Sequence, residues 1–197
     1  MSSTRLSRRS LLAASTLLAL PTLVATSPGS GARAQGSASR VLVAYFSRSG
    51  NTRVIAGQIR RATEADEFEI RPRQPYPADY EETVAQSHRE RDAGFEPELE
   101  SSVSDLSRYE TIYLGFPIWS GTAPPVIRSF LSQHDLSGKT VLPFITHGGY
   151  GLGNSEELLA ERAEGSRLAR AFALEADQER RTLEEVTDWL ERSPPVR

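Results

Sequence analysis

Cysteine is absent from all 197 residues, which excludes disulfides, thiolate metal sites, a cysteine nucleophile and a lipid anchor on cysteine. Histidine is scarce: His88, His134 and His147 lie far apart and show no zinc-type spacing. No internal repeat is present. Basic charge is also in short supply. The formal net charge is −3, and with residues 1–34 set aside 19 basic residues face 26 acidic ones, a charge of −7. That balance disfavours nucleic acid or an anionic membrane surface as partner. Missing motifs narrow the chemistry further. Gly138-Lys139-Thr140 lacks the first glycine of a triphosphate loop, since Gln133 stands there, and it reads as chance. His147-Gly148-Gly149 resembles an oxyanion loop, yet no G-x-S-x-G elbow accompanies it. Gly149-Tyr150-Gly151-Leu152-Gly153 ends in Asn154 and so does not complete a dinucleotide fingerprint.

What is present begins with an address. Ser7-Arg8-Arg9-Ser10-Leu11-Leu12 opens an uncharged stretch reaching Pro28, and Ala32-Arg33-Ala34 offers an A-x-A cleavage site. A basic start, an apolar middle and small residues at the end describe a secretory signal. The adjacent arginines resemble the twin-arginine type, whose machinery is then a partner of the precursor. A membrane anchor is the alternative, but the run is diluted by Ser, Thr and Pro and falls short of ~20 apolar residues. The expectation is a signal over 1–34, a flexible Ser/Gly/Ala-rich lead-in over 35–39, and one domain over 40–197. No stable membrane insertion follows cleavage, and the destination is the periplasm or the medium.

Beyond residue 40 the chain alternates strand and helix. Val41-Leu42-Val43-Ala44-Tyr45-Phe46 is uncharged and rich in β-branched and aromatic residues, as a strand buried on both faces is. Thr52–Ala62 suits a helix with Val54, Ile55 and Ile59 on one face. Further strands are expected over Glu67–Arg71, Thr111–Phe116, Lys139–Thr146 and Arg167–Leu174. Helices are expected after Pro124, over Glu156–Ala163 and over Thr182–Arg192, the last with Leu183, Val186, Trp189 and Leu190 on one stripe. Five strands with intervening helices imply an α/β, doubly wound parallel sheet. Residues 73–108 break the rhythm: a Gln74-Pro75-Tyr76-Pro77 turn, a charged helix from an Asp79 cap to Asp92, and an acidic, irregular tail. An elaborated helix region or a functional flap would each fit. His134-Asp135 reads as a loop pair and Trp189 as core.

Three loops stand out. Ser47-Arg48-Ser49-Gly50-Asn51-Thr52 joins the first strand to the first helix and holds three hydroxyls and a glycine. A phosphate there would meet free N–H groups and the positive end of the helix dipole, with Ser47, Ser49 and Thr52 as added donors. An ordinary capped turn is the plain alternative. Pro117-Ile118-Trp119-Ser120-Gly121 follows the third strand, and Thr146-His147-Gly148-Gly149-Tyr150-Gly151-Leu152-Gly153-Asn154-Ser155 the fourth.

The strand followed by [ST]-x-[ST]-G-x-T, with Pro117-Ile118-Trp119-x-Gly121-x-x-Pro124 and Gly148-Gly149-x-Gly151-x-Gly153, resembles the flavodoxin family, in a reductase-like branch that also has a Tyr-Pro and a polar helix after strand two. The resemblance covers residues 41–192. It implies strand order 2-1-3-4-5, helices on both faces, and FMN at the carboxyl ends of strands one and three. The site it implies comprises Ser47, Arg48, Ser49, Gly50, Asn51, Thr52, Pro117, Ile118, Trp119, Gly121, Thr146, His147, Gly148, Gly149, Tyr150 and Gly153. Trp119 and Tyr150 would cover the flavin faces, and the glycines would let N–H groups reach its edge. His147 departs from the pattern, where a small or hydroxyl residue is expected. Three functions are compatible. One is an oxidoreductase reducing a quinone or similar acceptor; the second is an electron carrier serving a protein partner; the third is a flavin-free binding module. No acid or base catalyst is named by the sequence.

The export reading carries its own test. Replacing Arg8 and Arg9 with Lys keeps the charge but removes the pair the receptor reads, so precursor should accumulate in the cytoplasm on immunoblots of cell fractions. Unimpaired periplasmic appearance would indicate the general secretory route.

Overall fold

The computed structural model describes residues 40–175 and 179–193. The expected signal and lead-in lie outside the described residues, as does the side chain of Leu183. The elements run β1 (Arg40–Tyr45), α1 (Asn51–Thr63), β2 (Asp66–Glu69), α2 (Tyr80–Asp92), β3 (Tyr109–Pro117), α3 (Pro125–Gln133), β4 (Thr140–His147), α4 (Ser155–Arg162), β5 (Arg167–Leu168), β6 (Phe172–Glu175) and α5 (Glu179–Arg192). All strand pairs are parallel, in the order β2-β1-β3-β4-β5, with β6 also against β4.

The alternation of β1 explains the layers. Leu42, Ala44 and, just past the strand, Phe46 enter one apolar cluster, whereas Val41, Val43 and Tyr45 enter the other. A strand apolar at every position after its first residue is satisfied only between two layers of helices. The first cluster receives Val126, Ile127 and Phe130 of α3 and Leu159 of α4. The second receives Ile55, Ala56 and Ile59 of α1 and Val186 of α5, with Trp189 stacked on Phe172 at 4.9 Å. No helix among the described residues is long and apolar enough to cross a membrane.

The expected fifth strand is two pieces. Arg167–Leu168 pairs with Thr140–Val141, but Phe172–Glu175 pairs with Phe144–His147 one residue out of that register. Pro143 accounts for the break. The carbonyl of Val141 accepts from the Ala169 N–H at 2.9 Å, so β4 residues of that parity face β5. Two residues on, Pro143 has no N–H to offer, and the ladder lapses where its bond belongs.

The stretch expected to be irregular is tied down more firmly than its composition suggests. Asp79 caps α2, its carboxylate accepting from the Glu82 N–H at 2.9 Å. Behind α2 the chain returns beside the end of β2: Arg73 N–H donates to Glu98 O at 2.7 Å and Glu100 N–H to Arg71 O at 2.9 Å. His134 lies in the loop after α3, as expected, and is buried there and stacked on Phe130. Its Nε2 accepts from the Val103 N–H at 3.0 Å and its Nδ1 donates to Phe130 O, so the ring pins the returning segment.

Gly115, at the centre of β3, sits under the Phe144 ring of β4. A Cβ there would lie 2.0 Å from the ring's Cζ. Gly115→Ala should destabilise the domain by about 1–3 kcal/mol or more, read from urea unfolding, and Phe144→Leu in the same chain should recover part of the loss. Equal stability of Gly115→Ala and wild type would contradict this packing.

Candidate functional site

Hydrogen bonding continues past the strands and sets the three loops side by side. The Phe46 N–H donates to Gly115 O at 2.9 Å, extending β1 along β3, and the Ile118 N–H donates to Thr146 O at 2.8 Å, extending β3 along β4. Thr52, in the first turn of α1, is buried, and its hydroxyl lies 2.9 Å from that of Thr146 at the end of β4. The first loop is thereby stitched to the third.

Ser47 is used internally. Its Oγ accepts from the N–H groups of Gly50 and Arg53 at 3.2 and 3.3 Å. The N–H groups of Asn51 and Thr52, the first two of α1, have no intrahelical partner. Gly50 enters the helix at φ +102°, a left-handed conformation that disfavours a side chain. Ser49 is exposed. Arg48 bridges to the next element: its Nη2 donates to Ala78 O at 2.7 Å, its guanidinium lies 6.0 Å from the Tyr80 ring centroid, and its Nε is buried without an acceptor among the described residues.

After β3, Trp119 and Thr122 exchange backbone bonds at 2.9 and 3.0 Å around Ser120 (φ +50°) and Gly121 (φ +75°), a tight turn with both central residues left-handed. Serine there is strained, and α2 holds it: Arg91 Nη1 donates to Ser120 O at 3.0 Å, and the Ser87 and Ser120 hydroxyls lie 3.4 Å apart. The turn also meets the loop after β4. Asn154 N–H donates to Gly121 O at 3.1 Å, and a Cβ on Gly153 would fall 1.7 Å from that oxygen. Glycine at 153 serves this contact between loops.

These loops frame an open cleft of about 370 Å³. The first loop contributes Arg48, Ser49 and Asn51; the second Pro117, Ile118, Trp119 and Ser120; the third Thr146, His147 and Gly148. Trp119 is half-buried, held edge-on by Tyr76 at 4.7 Å and Phe46 at 5.2 Å. Burial pushes the Tyr76 phenol far above its ordinary range, and the Glu90 carboxylate that accepts its hydrogen bond at 3.0 Å adds to the rise. Tyr76 therefore remains a neutral donor. His147 Nδ1 accepts from the Gly149 N–H at 3.1 Å, which leaves the ring proton on Nε2.

Other expected site residues stand elsewhere. Ser47 and Thr52 turn inward, Gly50, Gly121, Gly149 and Gly153 shape the loops without lining the cleft, and Tyr150 is 95% exposed at the tip of the third loop. The remaining wall was not named by sequence: Tyr80, Thr83, Val84 and Ser87 of α2. Their spacing of i, i+3, i+4 and i+7 is one uncharged stripe on a helix whose charges, Glu81, Glu82, Arg89, Glu90, Arg91 and Asp92, all stand at other positions, and that stripe is the signal that could have found them. Among the described residues no cluster of three His, Cys, Asp or Glu could hold a metal.

The lining suits a flat, largely apolar ligand with a phosphate at one end. Ile118 and Trp119 offer an apolar face, while Ser49, the first two N–H groups of α1 and the Arg48 Nε without an acceptor among the described residues offer donors. Polar edge groups would meet the backbone from Thr146 to Gly148.

The flavodoxin family model matches residues 40–193. Among solved structures, a provisionally assigned flavoprotein of Bacteroides uniformis is 33% identical with a TM-score of 0.69, over 78% of this chain and 98% of that one. Another from Bacteroides eggerthii is 32% identical with a TM-score of 0.67, over 78% and 97%. A flavoprotein of Lactobacillus acidophilus, solved in complex with FMN, shares the fold at 24% identity and a TM-score of 0.62, over 75% and 99%. No protein of curated function matches at a significant level.

The Thr52–Thr146 bond can be weighed by a double-mutant cycle. Either Thr52→Val or Thr146→Val leaves one buried hydroxyl unpaired and should cost about 1–3 kcal/mol in urea unfolding. Thr52→Val with Thr146→Val should cost clearly less than the sum. Additive losses would mean that the two hydroxyls do not pair.

Proposed function

Because the chain belongs to the flavodoxin family, we propose that it binds FMN in the cleft at the ends of β1, β3 and β4 and works as an oxidoreductase on a quinone or similar small acceptor. The observation that carries the reading is the convergence of three unrelated loops on one cleft, donors on one side and Trp119 on the other. Ser49, Arg48 and the N–H groups of Asn51 and Thr52 hold the phosphate at the positive end of α1. Ile118 and Trp119 cover a ring face. The backbone from Thr146 to Gly148 meets the polar edge, with His147 Nε2–H a further donor at the rim. FMN, when bound, supplies transfer of one or two electrons; the protein binds it, orients it and limits its access to water.

The wall formed by α2 favours a small acceptor over a carrier that works by docking proteins, because it encloses the carboxyl end of the sheet in a pocket. Export by the twin-arginine route belongs to the same proposal: it moves folded proteins, and a non-covalent cofactor would travel inside.

Trp119 offers the test. Purified protein should show a flavin absorption spectrum. Trp119→Ala should weaken FMN binding about 2- to 10-fold, the equivalent of ~0.5–1.5 kcal/mol of stacking, and brighten the fluorescence of the FMN that stays bound. Ser49→Ala should weaken FMN but leave riboflavin binding untouched. Trp189→Phe, in the α5 packing, should affect stability alone. A lower apo melting temperature for Trp119→Ala with unchanged FMN affinity and fluorescence would make Trp119 core only. In stopped flow, reoxidation of the reduced protein at a rate that saturates with quinone concentration indicates the enzyme, whereas a carrier would show only a second-order dependence.

A further inference from the structure

A second cleft, of about 440 Å³, opens beside the first on the β2 side, and Arg48 lines both. Four guanidiniums line it, those of Arg48, Arg53, Arg71 and Arg73, against the two carboxylates of Glu69 and Glu100. Arg48 is shared with the first cleft, and the other three guanidiniums still outnumber the two carboxylates in a chain whose formal net charge is −3. We propose that this arginine cleft binds the phosphate group of a small redox substrate other than FMN, a phosphorylated nucleotide reductant being the class that fits.

The cleft is built for an anion. Arg71 and Arg73, two apart on an extended segment, present to one side, and that segment is fixed by its backbone bonds to Glu98 and Glu100, with Pro72 within it and Pro75 just after it. Glu69 accepts from Arg71 at 2.6 Å and from Arg53 at 2.5 Å, and so holds both guanidiniums in place. Burial pushes the Glu69 carboxyl up, but the bonds from Arg53 and Arg71 outweigh it and keep the group below its ordinary range, ionised at neutral pH. Each guanidinium carries five N–H donors, of which Arg53 and Arg71 each give one to Glu69. The remaining donors are within reach of solvent, since these side chains are half exposed. The ion pair of Arg73 with Glu98 at 2.8 Å is exposed on both sides and yields readily to a stronger anion. A phosphate monoester answers this surplus of guanidiniums, and planar forks suit its oxygens. Phe46 and Tyr76 supply an aromatic wall against which a base can lie. A concave site of this size favours a small molecule over the flat face of a protein.

That the ligand is a redox substrate rests on the flavin reading of the first cleft; that an anion binds here does not. Calorimetric titration of the full chain with NADPH and with inorganic pyrophosphate, each with and without FMN, tests both parts. Both probes should bind wild type, NADPH more tightly. Arg71→Gln with Arg73→Gln should weaken both about tenfold or more, with FMN affinity unchanged. Glu100→Gln, which removes a repulsive carboxylate and no structural bond of the side chain, should tighten both several-fold. Binding should fall with added salt. Absence of binding at millimolar concentrations, or equal binding by wild type and the double variant, overturns the site. Pyrophosphate binding as tightly as NADPH overturns the substrate assignment, because the cleft would then hold free phosphate alone. Loss of FMN affinity in the double variant with riboflavin binding spared also overturns it, by placing the phosphate of FMN itself in the arginine cleft. Pyrophosphate binding in a chain that takes up no FMN would disprove the flavin reading and leave the anion site standing.

Discussion

The close approach of β3 to both neighbours governs everything at the carboxyl end of the sheet. Gly115 lets the Phe144 ring lie directly over the β3 backbone, and the ladder runs on beyond the strands through Phe46 on one side and Ile118 on the other. Three loops leave the sheet in register as a result, close enough for Thr52 and Thr146 to share a buried hydrogen bond. A larger residue at 115 would open that packing, and the loops would have no common frame.

Once framed, the loops hold one another in conformations that none would keep alone. Ser120 occupies a left-handed backbone at a cost of order 1–3 kcal/mol. Its carbonyl bond to Arg91, the Trp119–Thr122 pair and the bond from Asn154 to Gly121 offset that cost. Trp119 gains its orientation in the same way, from two aromatic rings meeting it edge-on. Strain of this kind persists at a site because its surroundings over-determine it.

Charge is distributed in keeping with this division. The flavin-sized cleft has one charged residue on its wall, Arg48, and is otherwise hydroxyl, aliphatic and aromatic. Its neighbour is crowded with arginine. Phe46 and Tyr76 line the arginine cleft and both pack against Trp119, which lines the other, so the two cavities meet across an aromatic partition. An acidic chain thereby confines its local positive potential to one concave place.

Sequence alone determined the local features. The uncharged β1 run, the proline opening α3, the Asp79 cap and the hydroxyl-rich first loop each act through near neighbours or a period, so a linear pattern suffices. The likeness to flavodoxins rested on the three loop motifs in their order along the chain, and the strand order came with that likeness. Tertiary structure decided whatever depends on distant partners. Pro143 divides the last strand because of which neighbour its missing N–H should have met. His134 became a buried pin through Val103, 31 residues away. The glycine at 153 answers to a carbonyl at 121, α2 became a wall of the cleft, and Tyr150 was left in solvent. A pattern records what a residue prefers; which group fills the space beside it is settled only when the chain has folded back on itself.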